Sequence, residues 1–259
     1  MNVIVITGAS SGIGMEFSLQ LDDHFSNIDE FWLVARRRDK MEELAKMLKH
    51  RTKVFAMDVT KEGQLERLED ALIEKNAVVR MLVNCAGYGL MGPFASGDLE
   101  GQLGMIRLNC EALTSVTHRM LPYMRRRSRI IQLASSAAFL PQADFAVYAA
   151  TKSYVLSFSR ALGQELAKKG IYVTSVCPGP VDTPFFDIAE RGGTTLNLKK
   201  YVMVPADRVV RQAIKDSYYR RSISVCSFPI RSFGLISKFT PHSVILKLMG
   251  TLKAMDSVR

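Results

Sequence analysis

The sequence predicts a doubly wound α/β fold: one domain built on a parallel sheet of about seven strands with helices on both faces. Three observations carry the prediction. Seven short apolar runs recur along the chain between longer amphipathic stretches, as strands buried on both faces of a parallel sheet require. The first run leads at once through a glycine-rich turn into a helix. The chain has 259 residues, 47% hydrophobic and 23% charged, so it can bury one sizeable core and lacks the composition of a disordered chain.

The expected strands are Val3–Ile6, Phe31–Ala35, Lys53–Met57, Val79–Val83, Arg129–Ala134, Ile171–Val176 and Ser222–Cys226. Between them, Asp39-Lys-Met-Glu42 reads as a capping box that opens a helix over Lys40–Lys49. Thr60 is expected to cap the next helix, and Gly170 to end the long one before Ile171. No internal repeat, low-complexity tract or linker divides the chain, so residues 1–259 are taken as a single domain.

The turn after the first strand is Thr7-Gly-Ala-Ser-Ser-Gly-Ile-Gly14, with glycines at 8, 12 and 14. Gly8 permits the tight turn, Gly12 lets the backbone approach a pyrophosphate, and Gly14 lets helix and strand pack closely. The helix N-terminus offers free N–H groups to an anion. This makes the sheet Rossmann-like and points to a dinucleotide. The end of the second strand then selects which one. An acid there would bond the ribose 2′-OH of NAD, but the chain reads Val34-Ala35-Arg36-Arg37-Arg38. With the acid missing and a guanidinium in reach of a 2′-phosphate, NADP(H) is the expected cofactor.

The next informative stretch is Ser135-Ser136, followed 13 residues after Ser135 by Tyr148-Ala-Ala-Thr-Lys152. Residues four apart share a helix face, so Tyr148 and Lys152 point the same way. A phenol is a poor acid–base group near neutrality, and a nearby ammonium favours its phenolate. Tyr148 could then exchange a proton with an oxygen passing between ketone and alcohol, and Ser135 could hydrogen-bond that oxygen. Asn109 could hold a water that relays protons to Lys152. Spacing favours Ser135, and Ser136 is expected to point away, because side chains alternate at a strand end.

Taken together, TGASSGIG, Asp58, Asn84-Cys-Ala-Gly87, Asn109, Ser135, Tyr148/Lys152 and Pro178-Gly179 before Thr183 resemble a classical short-chain dehydrogenase/reductase over about residues 1–190. The resemblance implies a catalytic tetrad of Asn109, Ser135, Tyr148 and Lys152. It implies a cofactor path over Gly8, Ser10, Ser11, Gly12, Ile13 and Gly14, past Arg36 and Arg37, and along Asp58 and Val59. The path continues by Asn84, Ala86 and Gly87 to Tyr148, Lys152, Pro178, Gly179, Val181 and Thr183. Asn84 would help hold the central strand, and Thr183 would meet the carboxamide. Cys85 stands where the family often has a second Asn.

The loops after the strands carry candidate substrate contacts: Tyr88, Leu90, Met91 and Phe94; Phe139, Leu140, Gln142 and Phe145; Phe185, Phe186 and Ile188. Most are apolar, which favours a greasy ketone or alcohol over a sugar or small acid. Residues 181–204, with Gly192-Gly193, fit a substrate lid. Residues 227–259 form a basic, apolar extension: Phe228, Ile230, Phe233, Leu235, Ile236 and Phe239, then Thr240-Pro241 opening a helix with Val244, Leu248 and Leu252 on a stripe. Ile245 and Met249 lie beside that stripe and Lys247 and Lys253 flank it. The stripe could cover the sheet, join subunits or rest on an anionic membrane.

Charge is unevenly spread. Residues 1–190 hold 22 basic and 22 acidic side chains, while residues 191–259 hold 13 and 3, the whole net +10. That argues against a nucleic-acid partner, since the tail interleaves its charges with aliphatics and shows no nucleic-acid motif. Cys85, Cys110, Cys177 and Cys226 lie far apart, so neither a metal site nor a disulfide scaffold is indicated. The N-terminus lacks a basic region ahead of its short apolar run, and no stretch of about 18 apolar residues occurs, so neither a signal peptide nor a membrane span is expected. A cytoplasmic location, with peripheral membrane contact through the tail as an option, and a homodimer or homotetramer are the expected setting. The expected function is NADP(H)-dependent interconversion of a ketone and a secondary alcohol on an apolar, hydroxysteroid- or lipid-like substrate. The alternatives are a 3-oxoacyl-type reductase on acyl chains and a non-catalytic NADP-binding scaffold or sensor, which would have no need of the four tetrad residues.

Overall fold

All seven expected strands enter one sheet. The structure, a computed structural model, describes residues 1–190 and 203–247. Its strands are β1 (Asn2–Thr7), β2 (Glu30–Ala35), β3 (Arg51–Ala56), β4 (Val78–Asn84), β5 (Met124–Leu133), β6 (Tyr172–Val176), β7 (Val181–Asp182), β8 (Val204–Pro205) and β9 (Ile223–Ser224). Seven of them form a parallel sheet in the order β3-β2-β1-β4-β5-β6-β9, and β7 and β8 form a separate parallel pair. The chain winds outward from β1 in one direction and from β4 in the other. The crevice above their C-terminal ends is therefore the switch point where such sheets bind ligands.

The helices are α1 (Gly12–His24), α2 (Arg38–Met47), α3 (Glu66–Glu74), α4 (Leu99–Ile106), α5 (Leu113–Met120), α6 (Ala146–Ala167), α7 (Phe185–Ala189), α8 (Ala206–Tyr218) and α9 (Phe228–Phe239). Alternation along β1 shows why the strands are apolar throughout. Val3 and Val5 face the layer made by Leu68 and Leu72 of α3, Val116 and Met120 of α5, and Leu162 and Leu166 of α6. Ile4 and Ile6 face the opposite layer, made by Phe17 and Leu21 of α1, Met41 and Leu44 of α2, and Val209 and Val210 of α8.

Local signals were met unevenly. Gly170, at φ +68°, ends α6 as expected: its N–H reaches Ala167 and that of Ile171 reaches Leu166, a complete Schellman motif. The capping box does not form. α2 begins at Arg38 with Arg37 as its N-cap and no side-chain cap bond, so Asp39 lies in the first turn, where it still favours the helix dipole. Thr60 caps nothing either. Its N–H and hydroxyl both donate to Asp58 Oδ1 (3.0 and 2.7 Å), and α3 starts only at Glu66. β5 begins five residues earlier than expected. It pairs with β4 at Val79↔Met124 and again at Met81↔Arg129, and Arg125–Ser128 bulge out between. Arg127 sits there at φ 72°, a conformation costing roughly 1–2 kcal/mol; its N–H reaches Gly170 (2.7 Å). Ser128 Oγ ties the bulge down by donating to Val79 O (2.8 Å).

In the C-terminal extension, α9 and a helical run at 242–247 after Thr240-Pro241 are described. The expected stripe residues Leu248, Met249, Leu252 and Lys253, and the lid interior including Gly192-Gly193, lie outside the described residues.

Leu82 is fully buried on β4 at the centre of the sheet. Leu82→Ala is expected to cost about 2–5 kcal/mol, read as a lowered urea midpoint with an unchanged slope.

Candidate active site

At the crevice the chain approaches itself closely. Gly8, at φ +69°, has its missing Cβ position 2.7 Å from Ala86 N, and that of Gly14 would lie 2.3 Å from Gly8 O. No side chain fits either place, so α1 starts hard against both β1 and the loop after β4. Gly12, at φ +55°, leaves room beside Thr183, whose Cβ lies 3.3 Å from the absent side chain. Ser11 is the N-cap of α1 but makes no side-chain cap bond, which leaves the first N–H groups of the helix facing the cavity. Arg37 reaches back over this turn and donates to Ser10 Oγ (3.0 Å) and Ser11 Oγ (2.8 Å). Arg36 is exposed at the same lip, and its charge bears on Asp58. Burial alone would raise the Asp58 carboxyl, but bonds from Thr60 and the charges of Arg36 and Lys61 hold it below its ordinary value.

The second half of the site is built on α6. Tyr148 and Lys152 lie on its buried face, with Lys152 Nζ 5.6 Å from the Tyr148 ring centroid. Tyr148 is stacked on Phe145 (centroids 4.2 Å apart) and flanked by Phe185 at 5.5 Å. The Ser135 side chain hydrogen-bonds the Tyr148 hydroxyl. The two are not tuned as the sequence suggested. Burial pushes the phenol up to about 12, with the Ser135 bond working against it, rather than the ammonium pulling it down. Burial also brings Lys152 down to about 8, while the neighbouring thiols Cys85, Cys110 and Cys177 act the other way. Lys152 Nζ donates to Leu133 O (2.8 Å), which anchors it to the end of β5.

One cavity of about 990 Å³ joins these parts. Of the residues expected on the site, all but Asn84 and Asn109 line it. Those two lie behind its wall. Asn84 is buried and donates to Thr117 Oγ1 and Gln132 Oε1 (both 3.0 Å), while Thr7 Oγ1 donates to its carbonyl (3.3 Å). This locks β4 to β1 and β5. Asn109 is fully buried on a π-helical turn, Arg107–Ala112, between α4 and α5. Its amide donates to Tyr88 O (2.9 Å) and Thr151 Oγ1 (3.0 Å), and its carbonyl accepts from Tyr88 N (3.1 Å). Both amide hydrogens are thus used within the protein, and only Oδ1 keeps capacity for a water. Ser136 also lines the cavity, contrary to the expected alternation, because β5 has ended and a 3₁₀ turn begins at Ser136.

Among the substrate candidates, Tyr88, Leu90, Met91, Gln142, Phe145, Phe185, Phe186 and Ile188 line the cavity. Phe94 is exposed on the surface, Leu140 is buried elsewhere, and Phe139 packs beneath α9. The sequence reading missed Arg107, which lines the cavity and pairs with Glu100 (2.6 Å). It also missed Gly104, whose absent Cβ would lie 2.2 Å from the Tyr88 hydroxyl, and Thr151, which couples Asn109 to Tyr148 O. Thr151 lies within the Tyr148–Lys152 segment, but its partner is remote in sequence; Arg107 carries no local signal at all.

A family model described as short chain dehydrogenase matches residues 2–191. The chain is 35% identical over 192 residues to an uncharacterized oxidoreductase of Staphylococcus epidermidis, covering 73% of this chain and 82% of that protein. It is 36% identical over 242 residues to a very-long-chain 3-oxoacyl-CoA reductase of Ajellomyces capsulatus, covering 89% of this chain and 70% of that one. Its structure is similar to that of a short-chain dehydrogenase from Sphingobium yanoikuyae in complex with NADPH, with a TM-score of 0.76 and 25% identity, over 99% of this chain and 96% of that one. The chain belongs to the short-chain dehydrogenase/reductase family, and is an oxidoreductase of the kind that works with a nicotinamide cofactor.

The buried Lys152 gives a stability prediction. Its folded value of about 8 lies below the ordinary 10.5, so the folded state resists its charge. That penalty is full below about pH 8, fades as pH rises toward 10.5, and is gone above it. Lys152→Met is therefore expected to raise stability at pH 7 by on the order of 2 kcal/mol, with the gain shrinking across that window in urea titrations. An equal or lower midpoint at pH 7 would contradict it.

Proposed function

We propose that the protein is an NADP(H)-dependent carbonyl reductase, or the reverse alcohol dehydrogenase, for an apolar ketone. The observation that carries this is the meeting of Tyr148, Ser135 and Lys152 at one end of an apolar cavity whose other end has a glycine cradle and two arginines.

The residues present fit a nicotinamide dinucleotide. The cradle at Gly8, Gly12 and Gly14 leaves backbone space that any Cβ would fill. The N-terminus of α1 suits a pyrophosphate, Asp58 and Val59 suit the adenine side, and Arg36 and Arg37 suit a 2′-phosphate where an acid would suit NAD. Lys152 and Thr183 would hold the nicotinamide end. When bound, the cofactor supplies or accepts a hydride at the carbonyl carbon.

The protein's own part is the proton. Held at about 12, the Tyr148 phenol stays protonated at neutral pH, which is the form that gives a proton to a carbonyl oxygen becoming an alcohol. Ser135 holds that oxygen beside the phenol and helps carry the phenolate left behind. Lys152, still largely cationic at neutral pH, stabilises the same phenolate across the short gap. Asn109 acts from behind, by holding Tyr88 and Thr151 and so the wall of the site. The protonated phenol is the form that reduction needs at neutral pH. The apolar wall of Leu90, Met91, Phe145, Phe185 and Phe186 selects a lipid-like or steroid-like ketone. The similarity to a very-long-chain 3-oxoacyl-CoA reductase favours a 3-oxoacyl chain among these. At the described ends of the expected lid, α7 contributes Phe185 and Phe186 to the pocket and β7 pairs with β8.

NADPH oxidation against a panel of steroid ketones, 3-oxoacyl thioesters and small ketones tests this. Wild type should turn over the apolar members, and Tyr148→Phe should lower kcat by about 10²–10⁴-fold; equal turnover by the two proteins would falsify the proton assignment. The double change Arg36→Ala/Arg37→Ala should raise KM for NADPH by about 10–100-fold and leave that for NADH nearly unchanged. Equal loss for both cofactors would remove the phosphate assignment.

A further inference from the structure

The reaction uses none of the C-terminal extension, yet α9 carries more apolar surface than its packing consumes. One face of the helix is seated. Ile230 packs against the buried cluster of Val225, Cys177 and Ala134, and a Cβ on Gly179 would come within 2.9 Å of it. Gly234 lies under the Phe139 ring at a similar distance, and Ser237 is buried beside it. The other face is bare. Phe228 and Phe239 are 81% and 82% exposed, and Leu235 and Ile236 are more than half exposed. Spacings of seven and four residues put Phe228, Leu235 and Phe239 on one stripe. The exposed apolar set continues through Val244 and Leu246 in the helical run at 242–247.

The charge around this stripe has one sign. Arg231 and Lys238 are exposed beside it. No Asp or Glu occurs between Asp216 and Asp256, a stretch with six Lys and Arg. Two kinds of occupant could cover such a face. A second copy of the chain, joined by a two-fold axis, would set the same cations against each other, and residues 217–247 hold no Asp or Glu to meet them. An anionic headgroup layer meets both properties at once: the cations stay at the phosphate level while the apolar stripe sinks to the acyl boundary. No helix among the described residues is long and apolar enough to cross a membrane, so the contact lies in the surface plane.

We propose that the bare face of α9 and the helical run after it dock the protein onto an anionic lipid surface. The position gives the contact a use. α9 rests on Phe139 and beside Gly179, and Gly179 lines the cavity, so docking holds one wall of the cavity close to the bilayer. The proposal goes beyond the reductase reading and does not require it.

The test is sedimentation of the full chain with vesicles of phosphatidylcholine containing one-third phosphatidylglycerol, and with phosphatidylcholine alone. Binding is expected to the mixed vesicles, weaker to the neutral ones, and to fall as salt is raised. Leu235→Ser/Phe239→Ser should weaken the partition by about tenfold or more with an unchanged melting temperature, and Lys238→Glu should weaken it by a smaller factor. Absence of binding to the mixed vesicles, or equal binding by the double variant, would overturn the proposal. So would an oligomer that the double variant dissociates while neither protein binds vesicles, since the face would then cover a second copy. Lack of turnover on any ketone would count against the reductase assignment alone and leave the sedimentation result standing.

Discussion

The site depends on a contact between backbones. Where β1 passes into α1, the position a Gly14 side chain would take lies 2.3 Å from the Gly8 carbonyl, and that of Gly8 lies 2.7 Å from the Ala86 amide. These approaches clamp the helix N-terminus to the two central strands at the point where the winding direction reverses. Everything that faces the cavity takes its place from that clamp. The amides of α1 open toward the crevice, Arg37 folds back onto Ser10 and Ser11, and the loop after β4 is held low enough for Gly87 to pass Asn109 Oδ1 at a distance where a Cβ would sit 2.8 Å away. A larger residue at any of these positions would separate the two halves of the site rather than merely crowd it.

Two buried asparagines carry the clamp outward. Asn84 binds Thr117 and Gln132 and accepts from Thr7, so β1, β4, β5 and α5 share one polar knot in an otherwise apolar interior. Thr117 Oγ1 accepts from both amides and itself donates to Leu113 O, so each side-chain oxygen and nitrogen of the knot has a partner. Asn109 does the same one layer higher, between Tyr88 and Thr151. It can reach both because the π-helical turn at Arg107–Ala112 widens the backbone there, a distortion that recurs at functional sites. Neither asparagine faces the cavity, and both decide its shape.

This division explains what could be read from the sequence. The inner strands β1, β2, β4 and β6 were legible because both their faces are covered, so burial left short apolar runs, and the edge strand β3 showed only its Val54-Phe55-Ala56 end. Gly8, Gly12 and Gly14, and the Tyr148/Lys152 pair, were legible because backbone sterics and helix periodicity act over a few residues. What was not legible depends on partners far away in the chain. The Asp39–Glu42 box lost to a helix start set by Arg37, and Thr60 was drawn to Asp58 instead of to α3. The bulge at Arg125–Ser128 follows from a Ser128 bond to Val79 on the neighbouring strand. Phe94, Phe139 and Leu140 are as apolar as Phe145 and Phe185, and only the fold separates surface, core and cavity among them.

Burial also sets the electrostatics of the site, in a direction opposite to simple pairing. An ammonium near a phenol should lower the phenol and be held charged itself; here Tyr148 rises to about 12 and Lys152 falls to about 8. Desolvation sets both values because both groups lie in a wall lined by Phe145, Phe185 and three thiols, where each charged form is disfavoured on its own account. The same wall that admits an apolar ketone therefore keeps the tyrosine protonated. Ser135 and Leu133 O, where β5 ends, work locally against that tendency: the serine by its bond to the phenol, the carbonyl by accepting from the lysine. The end of β5 thus anchors both proton-bearing groups, which α6 carries on its buried face, while Phe185 and Phe186 of the apolar wall come from α7. Chemistry and specificity therefore meet at one ring: Phe185 of α7 lies 5.5 Å from the Tyr148 ring, so a change there alters the shape of the pocket and the surroundings of the proton donor together.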